Sequence, residues 1–326
     1  MLKVLSGVRP TGDMHLGNYL GAFRAWVEDQ LSYDAFYCVV DLHALAEEIN
    51  PEVLRDRTLK TALVLLAVGL DPSKCTLFIQ SHVPAHGEMS WLLSCVATYG
   101  ELGRMTQFKD KSHGKDTVRV GLYTYPVLMA SDILLYQAHR VPVGHDQKQH
   151  LELTRDIAMR FNNKYGEVFT IPSAYVPKVG ARIMDLQDPA SKMSKSSNNS
   201  SGIIYVLEDP SSIEKKIKRA VTDTHSDVVY DPKSRPGVSN LLELLGAATG
   251  TNPEDLASNY QNYGSLKSDT SSAVIEMLEP VRQRVKDLEK DLGEVHRIIA
   301  SGAQKAAETA NATLERTKEA MGLYLL

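Results

Sequence analysis

Four short β-rich runs, Lys3–Ser6, Ala35–Val40, Thr76–Gln80 and Val141–Gly144, are separated by stretches in which apolar residues return every three or four positions. This alternation constrains the fold more than any other property of the chain. Strands that alternate with helices build parallel sheets, because a parallel neighbour is reached only by a crossover. The periodicity predicts those helices at about Leu16–Gln30, Pro51–Val68, Glu88–Thr98, Pro126–Tyr136 and Gln147–Phe161. The expectation is an α/β domain with a doubly wound, Rossmann-like parallel sheet.

After Ser196 the texture changes. Ser197-Asn198-Asn199-Ser200-Ser201-Gly202 is polar, and the remainder carries little strand signal. Helices are expected at Ser211–Ala220, Ser239–Ala248, Pro253–Tyr260, Ser271–Lys290 and Val295–Leu323, separated by Pro, Gly, Asn and Ser. The boundary is placed near residue 200, giving a sheet domain over 1–200 and a helical one over 201–294, with the terminal helix, 295–326, packing back on the first. A length of 326 residues suits one large or two ordinary domains.

Composition removes several classes. With 43% hydrophobic and 23% charged residues the chain is an ordinary globular one, neither disordered nor collagen-like nor a coiled coil. Its 36 basic and 40 acidic residues give a formal charge of −4, which neither announces nor excludes a nucleic-acid partner. Cys38, Cys75 and Cys95 lack the paired spacing of a zinc or iron–sulfur site, so no metal site and reduced thiols are expected. The apolar run at the N-terminus is too short for a signal peptide, and the longest one, around Ala62 to Val68, is far below the roughly 18 residues of a membrane span. A cytoplasmic protein with no membrane partner is expected.

Two segments carry chemistry. Arg9-Pro10-Thr11-Gly12-Asp13-Met14-His15-Leu16-Gly17-Asn18 joins the first strand to the first helix, at the end of the sheet where ligands bind. Gly17 lets a flat base approach the backbone, and His15 and Asn18 supply donors for phosphate or ribose oxygens. Lys192-Met193-Ser194-Lys195-Ser196 places two ammonium groups three positions apart on a loop before a flexible run. That arrangement suits a polyphosphate whose charge grows as it departs.

The His-Leu-Gly-Asn after the first strand and the Lys-Met-Ser-Lys-Ser after the sheet resemble the two signatures of class I aminoacyl-tRNA synthetases, the former as a variant of His-Ile-Gly-His. The segments 39–44, 105–111, 125–136, 146–153, 215–223 and 320–323 resemble bacterial tryptophanyl-tRNA synthetases. The resemblance runs from about residue 3 to residue 323.

The resemblance implies that L-tryptophan is activated by ATP, with release of pyrophosphate, and transferred to the terminal adenosine of the tRNA for tryptophan by a cytoplasmic homodimer. Mg²⁺ arrives with ATP and needs no protein site of its own. The ATP-binding residues implied are Arg9, Pro10, Thr11, Gly17, Asn18, Gly144, His145, Asp146, Ile183, Lys192, Met193, Ser194, Lys195 and Ser196. His15, Lys111, Lys192 and Lys195 are the implied catalytic residues, and His43, Tyr125, Met129, Asp132 and Gln147 the implied tryptophan pocket. The helical region resembles an anticodon-reading domain, in which Lys215, Lys216, Lys218 and Arg219 offer charge for tRNA phosphates.

Physical chemistry supports the pocket. Tyr125, Met129 and Asp132, spaced by four and three, share one helix face. The indole N–H only donates, and an ionised carboxylate only accepts. Adenylate formation needs no strong base, since a carboxylate with a reference pKa near ~3.7 attacks the α-phosphorus as it stands. No Gly-x-Ser-x-Gly nucleophile motif occurs. Arg9, His145 and Ser197 stand where the family commonly has glutamine, glutamate and an acid. Three alternatives stay open: a tyrosine enzyme, since a phenol also donates to a carboxylate; a small-molecule nucleotidyltransferase; and a synthetase relative turned binding protein.

Overall fold

Val4, Leu5, Phe36, Tyr37, Cys38, Leu77 and Phe78 are all buried, and strands covered on both faces in this way belong to parallel sheets. A computed structural model describes residues 1–114, 117–144, 147–175, 183–194, 200–225 and 227–325. In it β1 (Lys3–Val8), β2 (Asp34–Val39), β3 (Cys75–Ile79), β4 (Arg140–Pro142) and β5 (Ser173–Tyr175) form one parallel sheet in the order β3-β2-β1-β4-β5. Lys3 to Val8 register with Asp34 to Val39, and Arg140 to Pro142 with Ser173 to Tyr175. Strand order turns back between β1 and β4, the place where open α/β sheets receive ligands. β5, only three residues long and partly exposed, has no apolar run to betray it in the sequence.

The first helical stretch is composite: α1 (Leu16–Asn18), a π-helical turn (Tyr19–Phe23) and α2 (Arg24–Asp29). It is followed by α3 (Asp41–Ala44), α4 (Pro51–Ala67), α5 (Ala85–Ser94), α6 (Tyr99–Gly103), α7 (Thr106–Ser112), α8 (Val120–Leu135) and α9 (Lys148–Tyr165). α4 starts where its sequence says it should. Asn50 accepts from the N–H groups of Glu52 and Val53 at 2.8 and 3.3 Å, and Pro51 takes the first position, where a missing N–H costs nothing. α8 departs from expectation, because Pro126 lies inside the helix rather than at its start. An interior proline costs about 3 kcal/mol. Burial of Leu122, Pro126 and Val127 along one continuous apolar stripe offsets it.

Beyond residue 200 come α10 (Pro210–Lys218), α11 (Pro236–Thr249), α12 (Pro253–Ala257), α13 (Tyr263–Glu289) and α14 (Leu292–Ala320). α13 begins eight residues before the expected Ser271, because Asn262 caps it by accepting from Ser265 N–H at 3.0 Å. α13 packs on α4, so Leu63 and Leu65 share a core with Leu241, Leu266 and Val274. α14 lies against β3 and α5. Gly302 makes that approach possible, since a side chain there would run into the Leu77 carbonyl, and Lys318 pairs with Glu88 at 2.8 Å.

Glu101 ties α6 to α9. It closes a capping box with Thr98 and receives the Arg160 guanidinium on both oxygens. Arg160, more than the loss of hydration opposes it, holds the Glu101 carboxyl at about 2 against an ordinary 4.5. A carboxyl with a depressed pKa stabilises the fold fully above its unfolded value and loses that contribution as pH falls through the folded one. In Glu101→Gln, which keeps the oxygen for Thr98, the melting temperature should fall below that of the parent at pH 7. The gap should close between about pH 4.5 and pH 2; a gap independent of pH would refute this account.

Candidate functional site

A cavity of about 660 Å³ opens at the carboxyl ends of β1 and β4, with Leu5, Ser6 and Gly7 on one side and Val141, Pro142 and Val143 on the other. α8 forms a wall on which Tyr125, Met129 and Asp132 all face the cavity. Asp132, only 4% exposed, is the floor. Its Oδ2 accepts from His43 Nε2 at 2.7 Å, and its Oδ1 accepts from both Gln80 Nε2 and His86 Nδ1 at 2.6 Å. A carboxylate has about four acceptor positions. Three are used here, which leaves one on Oδ2 for a donor entering from the cavity. Burial pushes this carboxyl up, yet His43 and His86 outweigh burial and hold it below its ordinary 3.8, so it stays an acceptor.

The supports of the floor come from distant parts of the chain. Gln80 follows β3 directly and, through Oε1, accepts from Leu42 N–H at 3.1 Å. His86 opens α5, is fully buried, and has its other ring nitrogen 2.7 Å from the Tyr136 hydroxyl. Sequence reasoning missed Gln80, His86 and Tyr136. The available signal was a glutamine at the end of an apolar strand and a histidine directly after the Val83-Pro84-Ala85 run. Higher in the wall the Tyr125 hydroxyl donates to Gln107 Oε1 at 3.1 Å and lies 2.6 Å from His150 Nε2. The Cys38 thiol, also in the lining, is pushed well above its ordinary value by burial and by Asp132, which suits packing and not nucleophilic attack.

At the mouth stand Arg9, Thr11, Glu47, Gln107, Lys111 and Gln147. Glu47 Oε1 lies 2.7 Å from Lys111 Nζ and 3.7 Å from Arg9 Nη1. Glu47 was not anticipated from the sequence.

The His-Leu-Gly-Asn segment lies beside this cavity and not in its lining. His15 and Asn18 cap α1 reciprocally: His15 Nδ1 accepts from Asn18 N–H at 3.3 Å, and Asn18 Oδ1 accepts from His15 N–H at 3.2 Å. Because Nδ1 is an acceptor there, Nε2 carries the ring proton. The segment is clamped by the chain that follows the lysine loop, with Leu16 N–H donating to Ile204 and Val206 N–H to Met14, both at 2.8 Å. Gly17, expected to let a flat base approach the backbone, also borders two neighbours. A side chain there would meet the His15 ring at 3.0 Å and the Met193 carbonyl at 3.5 Å, so the glycine makes room for the histidine. Gly17→Ala should therefore tilt His15 and, in the amino-acid activation that the resemblance implies, lower the rate by about tenfold with little change in the amino-acid KM; an unchanged rate would show that the ring has slack.

The base of the lysine loop reaches the same place. Met193 N–H donates to the Ile183 carbonyl at 3.1 Å, both side chains are buried, and Lys192 beside them is exposed. Ser194 follows, half-buried, whereas Lys195, Ser196, His145 and Asp146 lie outside the described residues. Pro10 is buried and Gly144 exposed, neither in the cavity lining. Among the described residues no group of three or more His, Cys, Asp or Glu side chains is placed to hold a metal ion.

Comparison with known proteins now bears on this geometry. Residues 1–279 match the family model for class I tRNA synthetases of the W and Y type. The chain is 51% identical over 325 residues to a tryptophan–tRNA ligase of Corynebacterium glutamicum, covering 98% of this chain and 94% of that one. It is similar to the crystal structure of tryptophanyl-tRNA synthetase from Mycoplasma pneumoniae, with a TM-score of 0.91 and 36% identity over 99% of this chain and 98% of that one. It is also similar to the Campylobacter jejuni enzyme complexed with ADP and tryptophan, with a TM-score of 0.86 and 32% identity over 99% and 100% of the two chains.

Proposed function

Since this chain belongs to the class I tRNA synthetases of the tryptophan and tyrosine type, we infer that it activates L-tryptophan with ATP and transfers it to tRNA. The observation that carries the choice of amino acid is Asp132, an ionised carboxylate at the floor of a cavity whose lining includes Met129, Ile133 and Val141, with about one acceptor position left. Indole presents one N–H, and a site built to bind that donor rejects a ring without it.

In this reading tryptophan lies with its ring between Met129 and Val141, its N–H on Asp132, and its amino-acid end toward Tyr125 and Gln147. Its carboxylate attacks the α-phosphorus of ATP in line, the bond to the bridging oxygen breaks, and pyrophosphate leaves with Mg²⁺ brought in by the nucleotide. His15, Lys111, Lys192 and Lys195 supply the positive or hydrogen-bonding groups that meet the charge on the leaving group. A ribose hydroxyl of the tRNA's terminal adenosine then attacks the activated carbonyl and releases AMP.

The helical region over 201–294 is assigned to the tRNA. Of its basic residues Lys215, Lys218 and Arg219 are exposed, Lys218 beside Glu214, while Lys216 is turned inward, 2.5 Å from Glu208 and donating to the Ile203 carbonyl at 2.7 Å. Lys216 is therefore removed from the phosphate contacts expected of it. A homodimer is supported by large apolar side chains left exposed on neighbouring helices: Trp91 at 69%, Tyr99 at 84% and Val120 at 75%. None of the described helices is long and apolar enough to cross a membrane, and a cytoplasmic site of action fits a tRNA substrate.

The test is ATP–pyrophosphate exchange dependent on tryptophan, repeated with tyrosine and followed by tRNA charging. Exchange with tyrosine alone would move the protein to the other amino acid, and no exchange with either would leave a binding protein.

A further inference from the structure

The cavity mouth holds one acid between two bases. Glu47 Oε1 is 2.7 Å from Lys111 Nζ and 3.7 Å from Arg9 Nη1, and all three residues line the cavity. Their side chains are 36–49% exposed, so solvent and an incoming ligand both reach them. Among the described residues the other carboxylate in the lining, Asp132, is buried and accepts from three donors.

We propose that Glu47 is a resident counter-anion, which holds Lys111 and Arg9 in the place the phosphate groups of ATP must take and so sets nucleotide affinity. It is a positioning residue that acts through the two cations and touches no reacting atom. The inference rests on the synthetase reading of the same site.

The argument is one of competition. Lys111 and Arg9 both stand in the lining, and each attracts a polyanion. The ligand must nevertheless break the Glu47–Lys111 pair, and it then shares the mouth with a displaced like charge. A polyphosphate has the charge and the oxygens to do this, each of them able to accept a charge-assisted hydrogen bond. Tryptophan is a zwitterion whose ammonium travels with its carboxylate, so it gains little by displacing an anion. Glu47 therefore opposes ATP and its product pyrophosphate and is indifferent to the amino acid.

Glu47→Gln keeps an oxygen for Lys111 and removes the charge. In the full-length protein it should lower KM for ATP by about fivefold at low ionic strength, with the KM for tryptophan unchanged, and tighten inorganic pyrophosphate by a similar factor in titration calorimetry. The gap should narrow as salt is raised from about 0.05 to 0.5 M. Glu48→Gln is the control: that carboxylate pairs with Arg119 at 3.4 Å, is 90% exposed and lies outside the lining, and its loss should change none of these values. Unchanged or weaker ATP and pyrophosphate binding in Glu47→Gln overturns the proposal. So does an equal shift in Glu48→Gln, or a shift in the tryptophan KM instead. Calorimetry separates the two readings, because a parent protein that binds ATP and pyrophosphate without tryptophan-dependent exchange removes the synthetase reading while the Glu47 comparison still decides. A parent that binds neither overturns both.

Discussion

Asp132→Ala is expected to lower kcat/KM for tryptophan by about 2–4 kcal/mol in pyrophosphate exchange, and to narrow the advantage of tryptophan over phenylalanine. Three donors converge on this carboxylate, and a fourth acceptor position faces the cavity. Alanine removes the partner of the indole N–H and also strands His43, Gln80 and His86, all buried, so a lower melting temperature accompanies the kinetic loss. Asp132→Asn separates the two effects. It keeps the volume and one oxygen, and it sets an N–H₂ against groups that already donate. If the charge and lone pairs of the floor select indole, Asn should lose nearly as much discrimination as Ala at a smaller cost in stability. With its carboxyl held below 3.8, the native floor is fully ionised across neutral pH, and tryptophan kcat/KM should show no titration of this group above about pH 5. Intact discrimination in both variants would mean that cavity shape alone chooses the ring.

How much of this could be read from the sequence depends on whether the information is local. β1, β2 and β3 are short β-rich runs alternating with helical periodicity and were legible as parallel strands, and periodicity placed α4 from Pro51. β5 was hidden because Ser173, Ala174 and Tyr175 are neither uniformly apolar nor long. The start of α8 was misplaced because a proline usually opens a helix, and here the apolar stripe runs through Pro126 from both sides. The cavity proposed for tryptophan shows the same division. Tyr125, Met129 and Asp132, implied by the resemblance, are neighbours on one helix, so their spacing alone puts them on one face. Gln80 and His86 meet Asp132 across 52 and 46 residues of chain, and no periodicity encodes that meeting. Lys216 looked like a phosphate ligand because its four-residue neighbourhood is basic. Its partner Glu208 lies eight positions earlier, and the two pair only once the segment before α10 folds back.

Lys195→Ala is expected to lower the kcat of tryptophan activation by about 10²-fold or more while changing the KM for ATP much less. The physical reason is timing. Charge accumulates on the pyrophosphate oxygens only as the bond to the α-phosphorus breaks, so an ammonium aimed at the leaving group contributes most in the transition state. Lys195 lies outside the described residues, but the chain two residues before it is fixed: Met193 is buried and donates to Ile183, and its carbonyl sits over Gly17 beside the His15 ring. Removing the ammonium should therefore leave the loop base and the adjacent capping of α1 intact. Lys192, whose backbone pairs with Met184, offers the internal comparison. Held at the anchored base, it is expected to bind the nucleotide alike in the ground state and the transition state, and Lys192→Ala should raise the KM for ATP with kcat little changed. A loss confined to ATP affinity in Lys195→Ala, with kcat untouched, would contradict the assignment and make both lysines ground-state ligands.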